Sequence, residues 1–200
     1  MKPSPRRMND RRSTEAQRTH ARFWRTSSIL AAVIIALAEE IPSTSLTVSE
    51  IVREAGVNRS TFYTHSENPT SLLPAALRAA LVRREESVRL DDDPRGRFET
   101  AVGVAVAHVN AHATVYRTSL ADSAAAGALF SDLPDSLTLR LEALTPTDST
   151  IVAAAIAGAT VEVIKHQLVA GSPEPTLDQV IAVLSAALRM TRSMTTAPVA

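Results

Sequence analysis

An all-α fold is what this sequence predicts, and three observations carry the prediction. Alanine is abundant, glycines number only 6 and aromatics make up 4% of the 200 residues, a balance that favours helix over sheet. Capping signatures recur along the chain, each followed by apolar residues at helical spacing. The chain is 45% hydrophobic with no cysteine, so it can bury a core but has no disulfide framework, thiolate zinc site or cysteine nucleophile. Its length suits one compact domain or two small ones sharing a core.

Taken in order, the segment up to about Thr19 is polar and rich in Pro, Arg and Ser, and reads as a loose arm over residues 1–21. From Arg22 the pattern turns helical, with Ile29, Val33, Ala36 and Leu37 on one face, and Pro42 is expected to stop it. Thr47 and Glu50 form a capping box for the next helix, Leu46 can staple to Ile51, and Gly56 suits a left-handed C-terminus. Asn58 then caps a third helix over Arg59–His65, with Val57 and Phe62 as its staple. A link this short between helices makes a helix-turn-helix corner rather than an antiparallel hairpin.

Asn68 followed by Pro69 starts a long fourth helix, expected over residues 70–90, with Leu72, Leu73, Ala76, Leu77, Ala80 and Leu81 apolar. Asp91, Asp92, Asp93 and Pro94 break it; without the alternating spacing of a calcium loop, they read as a solvated acidic turn. Further helices are expected over 94–112, 114–125, 129–143, 149–169 and 177–190, the last introduced by a Thr176 and Gln179 capping box.

The formal net charge of zero hides an asymmetry. Residues 1–90 hold 14 basic and 9 acidic side chains, whereas residues 91–200 hold 7 and 12. Eight of the basic residues fall within the first 25: Lys2, Arg6, Arg7, Arg11, Arg12, Arg18, Arg22 and Arg25. Such an end can present itself to a polyanion or simply be a solvated tail. In the third helix, Arg59, Ser60, Thr61, Tyr63, Thr64 and His65 cluster hydrogen-bonding groups around an inward Phe62. A helix entering a major groove needs this pattern, with its N-terminal turn offering donors to base edges and phosphates, although a polar surface helix would show it too.

These residues carry a family resemblance. The run from Leu46 to His65, and above all Ala55-Gly56-Val57 followed by Thr61-Phe62-Tyr63 and His65, resembles the DNA-binding domain of the tetracycline-repressor (TetR) family, in a register of about 45 residues. The resemblance implies an N-terminal three-helix DNA-binding unit over residues 22–68, joined to a larger helical effector-binding and dimerisation body over 69–200. It implies Thr47, Ser49, Asn58, Arg59, Ser60, Thr61, Tyr63 and His65 as DNA contacts, with Tyr63 and His65 on phosphates and Arg59 and Ser60 specifying sequence. Arg22 and Arg25 of the basic end join them as expected contacts. Three departures stand out: Ser66 where the family has an aromatic residue, Pro69 near its usual phosphate-gripping Lys, and Ile41-Pro42 where a glycine commonly follows the first helix. The basic arm would compensate by entering the minor groove.

In the body, the polar residues within apolar helices are the expected ligand contacts: His108, His112, Tyr116 and Glu162, with Phe98 and Phe130 as further wall residues. Two histidines one turn apart could hold a metal, but no carboxylate lies near them in sequence, so neither metal nor cofactor is expected. The apolar stretch 149–169, with its small residues Ala154, Ala155, Gly158 and Ala159, and the final helix are the expected homodimer surfaces by the resemblance. No apolar run reaches the ~20 residues of a membrane span, and a signal peptide is not evident, so cytoplasm and no membrane partner are the expectation. No P-loop, dinucleotide turn, nucleophile elbow or metalloprotease motif appears. The chain therefore reads as a non-enzymatic transcriptional regulator, a repressor released from a near-palindromic double-stranded operator by an unknown small-molecule effector. The alternative is a helical ligand- or partner-binding protein with weakened DNA binding.

Overall fold

A computed structural model of the chain describes residues 5–89, 93–131, 133–144, 150–169 and 176–195. Ten α-helices and no strand appear among them: α1 (Pro5–Leu37), α2 (Val48–Ala55), α3 (Arg59–His65), α4 (Pro69–Glu86), α5 (Pro94–Ala111), α6 (Ala113–Leu120), α7 (Ser123–Phe130), α8 (Leu133–Leu144), α9 (Thr150–Val169) and α10 (Leu177–Thr195). The fold is all-α, as the composition and caps indicate.

The largest difference from expectation lies at the start. The sequence predicts a loose arm up to residue 21, yet residues 5–21 continue α1, which runs for 33 residues. The physical reason is in the sequence: Pro5 suits a first helical turn, and no Gly or Pro interrupts the chain from Arg6 to Ile41. Arginine is nearly as good a helix former as alanine, so polarity here does not mean disorder. At the other end, α1 stops at Leu37 rather than at Pro42. The chain unwinds through hydrogen bonds from Glu39 N to the Ala36 carbonyl (3.3 Å) and from Glu40 N to that of Leu37 (3.2 Å).

Local signals in the corner are realised. Thr47 and Glu50 form the full capping box, and Gly56 closes α2 in the left-handed region at φ +64°. Leu46 and Ile51 are both buried, as is Phe62, with Val57 packed against them. Asn68 caps α4 through a hydrogen bond from Ser71 N (2.8 Å), with Pro69 in the first turn.

Farther along, one expected helix divides. Asp122 accepts from Ala125 N (2.7 Å) and so caps a new helix, splitting the expected 114–125 stretch into α6 and α7. Of the acidic turn, Asp91 and Asp92 lie outside the described residues, while Asp93 accepts from Gly96 N (3.1 Å) at the head of α5. The Thr176 and Gln179 box opens α10, with contacts of 3.1 and 3.3 Å.

Packing is continuous from the corner into the later helices. One apolar cluster runs from Leu30, Ile34, Ile51 and Phe62 through Leu73 and Leu77 to Val109, Ile164 and Leu184. Helix α4 is the axle, packing on α1 at one side and on α5 and α7 at the other. A smaller cluster of Ala101, Ala105, Leu137, Leu141, Ala153 and Ala157 joins α5, α8 and α9. By length and composition, Val152–Val169 of α9 could cross a membrane. In this fold the same helix packs on α8, α10 and α6.

Candidate nucleic-acid interface and interior cleft

The corner presents α3 outward and fixes its start from both sides. Asn58 Oδ1 accepts from Thr61 N (2.8 Å), Thr61 Oγ1 (2.8 Å) and Ser60 Oγ (2.7 Å). Three local donors therefore converge on one oxygen, which leaves the Asn58 amide nitrogen and the two hydroxyl lone pairs as groups to offer a ligand. Arg59 donates through Nη2 to Ser49 Oγ, so α2 holds the first side chain of α3. That hydrogen bond couples two expected DNA residues and restricts the rotamers of the longer one.

Other expected contacts differ in how available they are. Tyr63 is 58% exposed, the largest exposure of any aromatic in the corner, and stands edge-on to Phe62 at 5.5 Å between ring centroids. Thr64 donates back to the Ser60 carbonyl (3.0 Å). Thr47 is exposed, but its hydroxyl is spent within the capping box, donating to Glu50 Oε2 (2.6 Å) and accepting from Glu50 N (3.3 Å). Side-chain and backbone hydrogen bonds from Thr47 hold the Glu50 carboxyl below its ordinary pKa. Thr47 thus serves the corner's architecture before any ligand.

His65 is half-buried, with Phe23 of α1 stacked on its ring at 4.3 Å and 28°. Burial lowers its pKa from the ordinary histidine value, so near neutrality it offers a neutral N–H rather than a cation. Phe23 is the apolar neighbour that Ser66 does not supply; Ser66 instead donates to the Asn68 carbonyl (3.0 Å) and ties α3 to the α4 cap. Arg22 and Arg25 are exposed on α1 beside Trp24, itself 56% exposed with its indole N–H donated to His20 Nε2 (2.9 Å). Sequence reasoning misses the aromatic trio of His20, Phe23 and Trp24. Large aromatics inside an arginine-rich run are the signal that could have found it.

Of the expected ligand residues, the structure gathers three. His108 Nε2 lies 3.1 Å from the Tyr116 hydroxyl in the interior, and the His112 ring stands edge-on to His108 at 5.1 Å. Burial, then the neighbouring His112 and Arg84, pushes His108 down to about 3, and burial alone raises Tyr116. Phe130 packs on Tyr116 at 5.4 Å, whereas Phe98 sits between the two apolar clusters. Glu162 is apart from them: it is exposed on α9 and accepts from Lys165 Nζ at 2.7 Å. Among the described residues, no group of three metal-ligating side chains gathers anywhere.

His108 and Tyr116 close one end of a small cleft between α4 and α8. Its walls are Pro74, Leu77 and Leu81 of α4, Leu129 of α7 and Leu133 of α8, with Arg78 and Ser136 as further polar lining residues. The space within it is about 20 Å³, roughly the volume a single water requires. Arg78, Ser136 and Pro74 carry no sequence signal for this role, because it depends on which helices meet.

Two tertiary ties join the end of α1 and the end of α4 to the later helices. Thr118 Oγ1 of α6 donates to the Glu39 carbonyl just after α1 (3.0 Å), and Arg140 of α8 pairs with Glu85 near the end of α4 (3.1 Å). Burial raises the Glu85 carboxyl, with Arg140 pulling the other way.

No protein-family model matches the chain, and no curated protein matches it in sequence. Among solved structures, the chain is similar to one described as "Dihydroxyacetone kinase operon activator DhaS". The two share 15% identity with a TM-score of 0.56, over 82% of this chain and 97% of that one, a likeness of fold.

Proposed function

We propose that this chain is a DNA-binding transcriptional regulator of the TetR family, acting as a homodimer in the cytoplasm without catalytic activity of its own. In this reading residues 22–68 form the DNA-reading head and 69–200 the effector-binding and dimerisation body. The observation that carries it is the α2–α3 corner. A helix start rich in donors and short hydroxyls is exposed, aimed outward, and held by Asn58, Ser49 and the buried Phe62. The likeness in fold to DhaS, a protein described as an operon activator, is consistent with it.

Asn58, Arg59, Ser60 and Thr61 enter a major groove of double-stranded DNA, while Tyr63 and His65 lie on phosphates. In a dimer, two such helices about 34 Å apart match successive turns of a near-palindromic operator. The two-fold surface is formed by α9 and α10. Val152, Ala155 and Ala159 form an exposed stripe on α9, and Ala182 and Val183 are exposed on α10.

Release follows from α4. It begins at the Asn68 cap beside the end of α3, and one turn later Pro74 interrupts its hydrogen bonding. Beyond that point it forms the cleft wall. A small molecule that widens the cleft displaces α4 and, through it, the head. A tenfold loss of operator affinity requires the effector to prefer the displaced state by about 1.4 kcal/mol.

Selection from random duplex DNA at ~0.15 M salt, followed by a salt titration of the winning site, tests the reading. A near-palindromic site bound by a dimer, and lost in Tyr63→Ala, is the expected result. If no site emerges and binding stays weak at low salt, the body is a ligand- or partner-binding module instead. The description of DhaS as an operon activator raises one variation, activation rather than repression. A reporter driven by the selected site separates the two by its sign when this gene is deleted.

A further inference from the structure

The interior His108–Tyr116 pair holds a hydrogen-bond donor that the contact between the two side chains cannot satisfy. Both side chains are nine-tenths or more buried, and they share a single hydrogen bond of 3.1 Å between Nε2 and the phenol oxygen. His108 Nδ1 has no hydrogen-bond partner. Only two arrangements of a neutral imidazole are available. If Tyr116 donates to Nε2, then Nδ1 carries a proton with no acceptor. If Nε2 donates to the phenol oxygen, then the phenol proton has none. Either way one buried donor is left over, and a buried donor without an acceptor is costly.

We propose that the cleft between α4, α7 and α8 takes a neutral, largely apolar molecule bearing one acceptor oxygen, of ketone, ester or lactone type, which accepts a hydrogen bond from that unpaired donor. The inference rests on reading this cleft as the effector site and specifies its chemistry. The walls decide the apolar part: Pro74, Leu77, Leu81, Leu129 and Leu133 make up most of the lining, with Arg78 and Ser136 the polar residues beside the pair. The pair decides the polar part, because in either arrangement one buried N–H or O–H lacks an acceptor that a ligand oxygen can supply. Burial, which holds His108 neutral and keeps the Tyr116 proton in place, argues against a charged ligand at that end. A ligand larger than a water has to widen a space of about 20 Å³, one wall of which is α4.

Three probes of matched shape test this on the full-length chain: acetophenone with a neutral acceptor, ethylbenzene with none, and benzoate with a charged one. Acetophenone is expected to bind about tenfold more tightly than ethylbenzene, about 1.4 kcal/mol, with benzoate no better than ethylbenzene. Imidazole nitrogen and phenol proton shifts should show acetophenone perturbing His108 or Tyr116 and ethylbenzene sparing both, a readout that needs no variant. In the double variant His108→Leu, Tyr116→Phe the preference should fall to within about twofold. Equal affinity for acetophenone and ethylbenzene, a preference for benzoate, or no binding of any probe at millimolar concentration overturns the proposal. The operator complex distinguishes the underlying reading. Acetophenone bound with the expected preference but leaving DNA affinity unchanged upholds the cleft chemistry and removes its role in release. DNA release by ethylbenzene as effective as by acetophenone does the reverse.

Discussion

Gly56 and His108 show how much a single residue carries here. At φ +64°, Gly56 adopts a backbone conformation that other residues resist, although nothing lies within 4 Å of where a Cβ would stand. The cost of Gly56→Ala is therefore conformational alone, about 1 kcal/mol, measurable as a lower urea midpoint with unchanged slope. His108 gives a pH dependence whose sign follows from its depressed pKa. The unfolded chain takes up a proton near pH 6.5 and the folded chain only near 3, so stability falls as pH drops through that window. The slope approaches about 1.4 kcal/mol per pH unit for one proton. His112, Arg84 and Tyr116 face the ring and none compensates its charging. A melting series from pH 7 to 4 should show the decline, and His108→Phe should flatten it. On the exposed face, Tyr63→Ala should weaken binding to every duplex, while Arg59→Ala should also change which sequences selection returns. Since Arg59 rests on Ser49 in the free protein, Ser49→Ala should loosen specificity in the same direction more weakly.

Among the elements, α1 departs most from what the sequence suggests. The minor groove is about 6 Å wide and a helix with its side chains is about 10–12 Å across. A helical extension therefore cannot thread that groove as an extended arm would, and in the proposed complex its arginines act on flanking phosphates. Deleting residues 1–20 should lower operator affinity and flatten the dependence of log affinity on log salt, by about 0.9 for each phosphate that is no longer neutralised. An unchanged slope would mean that the extension never touches DNA. The helix ends are legible wherever a side chain makes a local hydrogen bond: Thr47, Asn58, Asn68 and Thr176 cap as their spacing implies. Asp122 is not legible as a cap, because the alanine-rich residues after it continue the helical pattern of those before it. Composition misleads at α1, where arginine is both a mark of polar tails and a strong helix former. The Phe23–His65 stack and the cleft are not legible either, since each depends on how helices distant in sequence meet. The residue types that close the cleft are nonetheless visible as polar groups in apolar helices.

For the molecule as a whole, the proposed dimer makes the exposed part of α9 and α10 its most sensitive surface. Val183 is 47% exposed, and Val183→Arg should put a charge into the bundle and shift the protein to monomers by light scattering. Operator affinity should fall by orders of magnitude with it, because each half-site alone is weak. Glu162→Gln, at the next step of the stripe after Ala159 and paired with Lys165, changes charge but not size and should leave assembly intact.

The apolar cluster that runs unbroken from Leu30 and Phe62 to Leu184 bears on how such proteins can be recombined. The reading head is not a detachable cartridge. Its inner surface is completed by α4, and α4 is completed by α5 and α7, so a chimera joined at residue 68 would expose Leu72, Leu73 and Leu77 on one piece and Ile34 and Phe62 on the other. Exchange of operator preference with another protein of this fold has to carry side chains across, not segments.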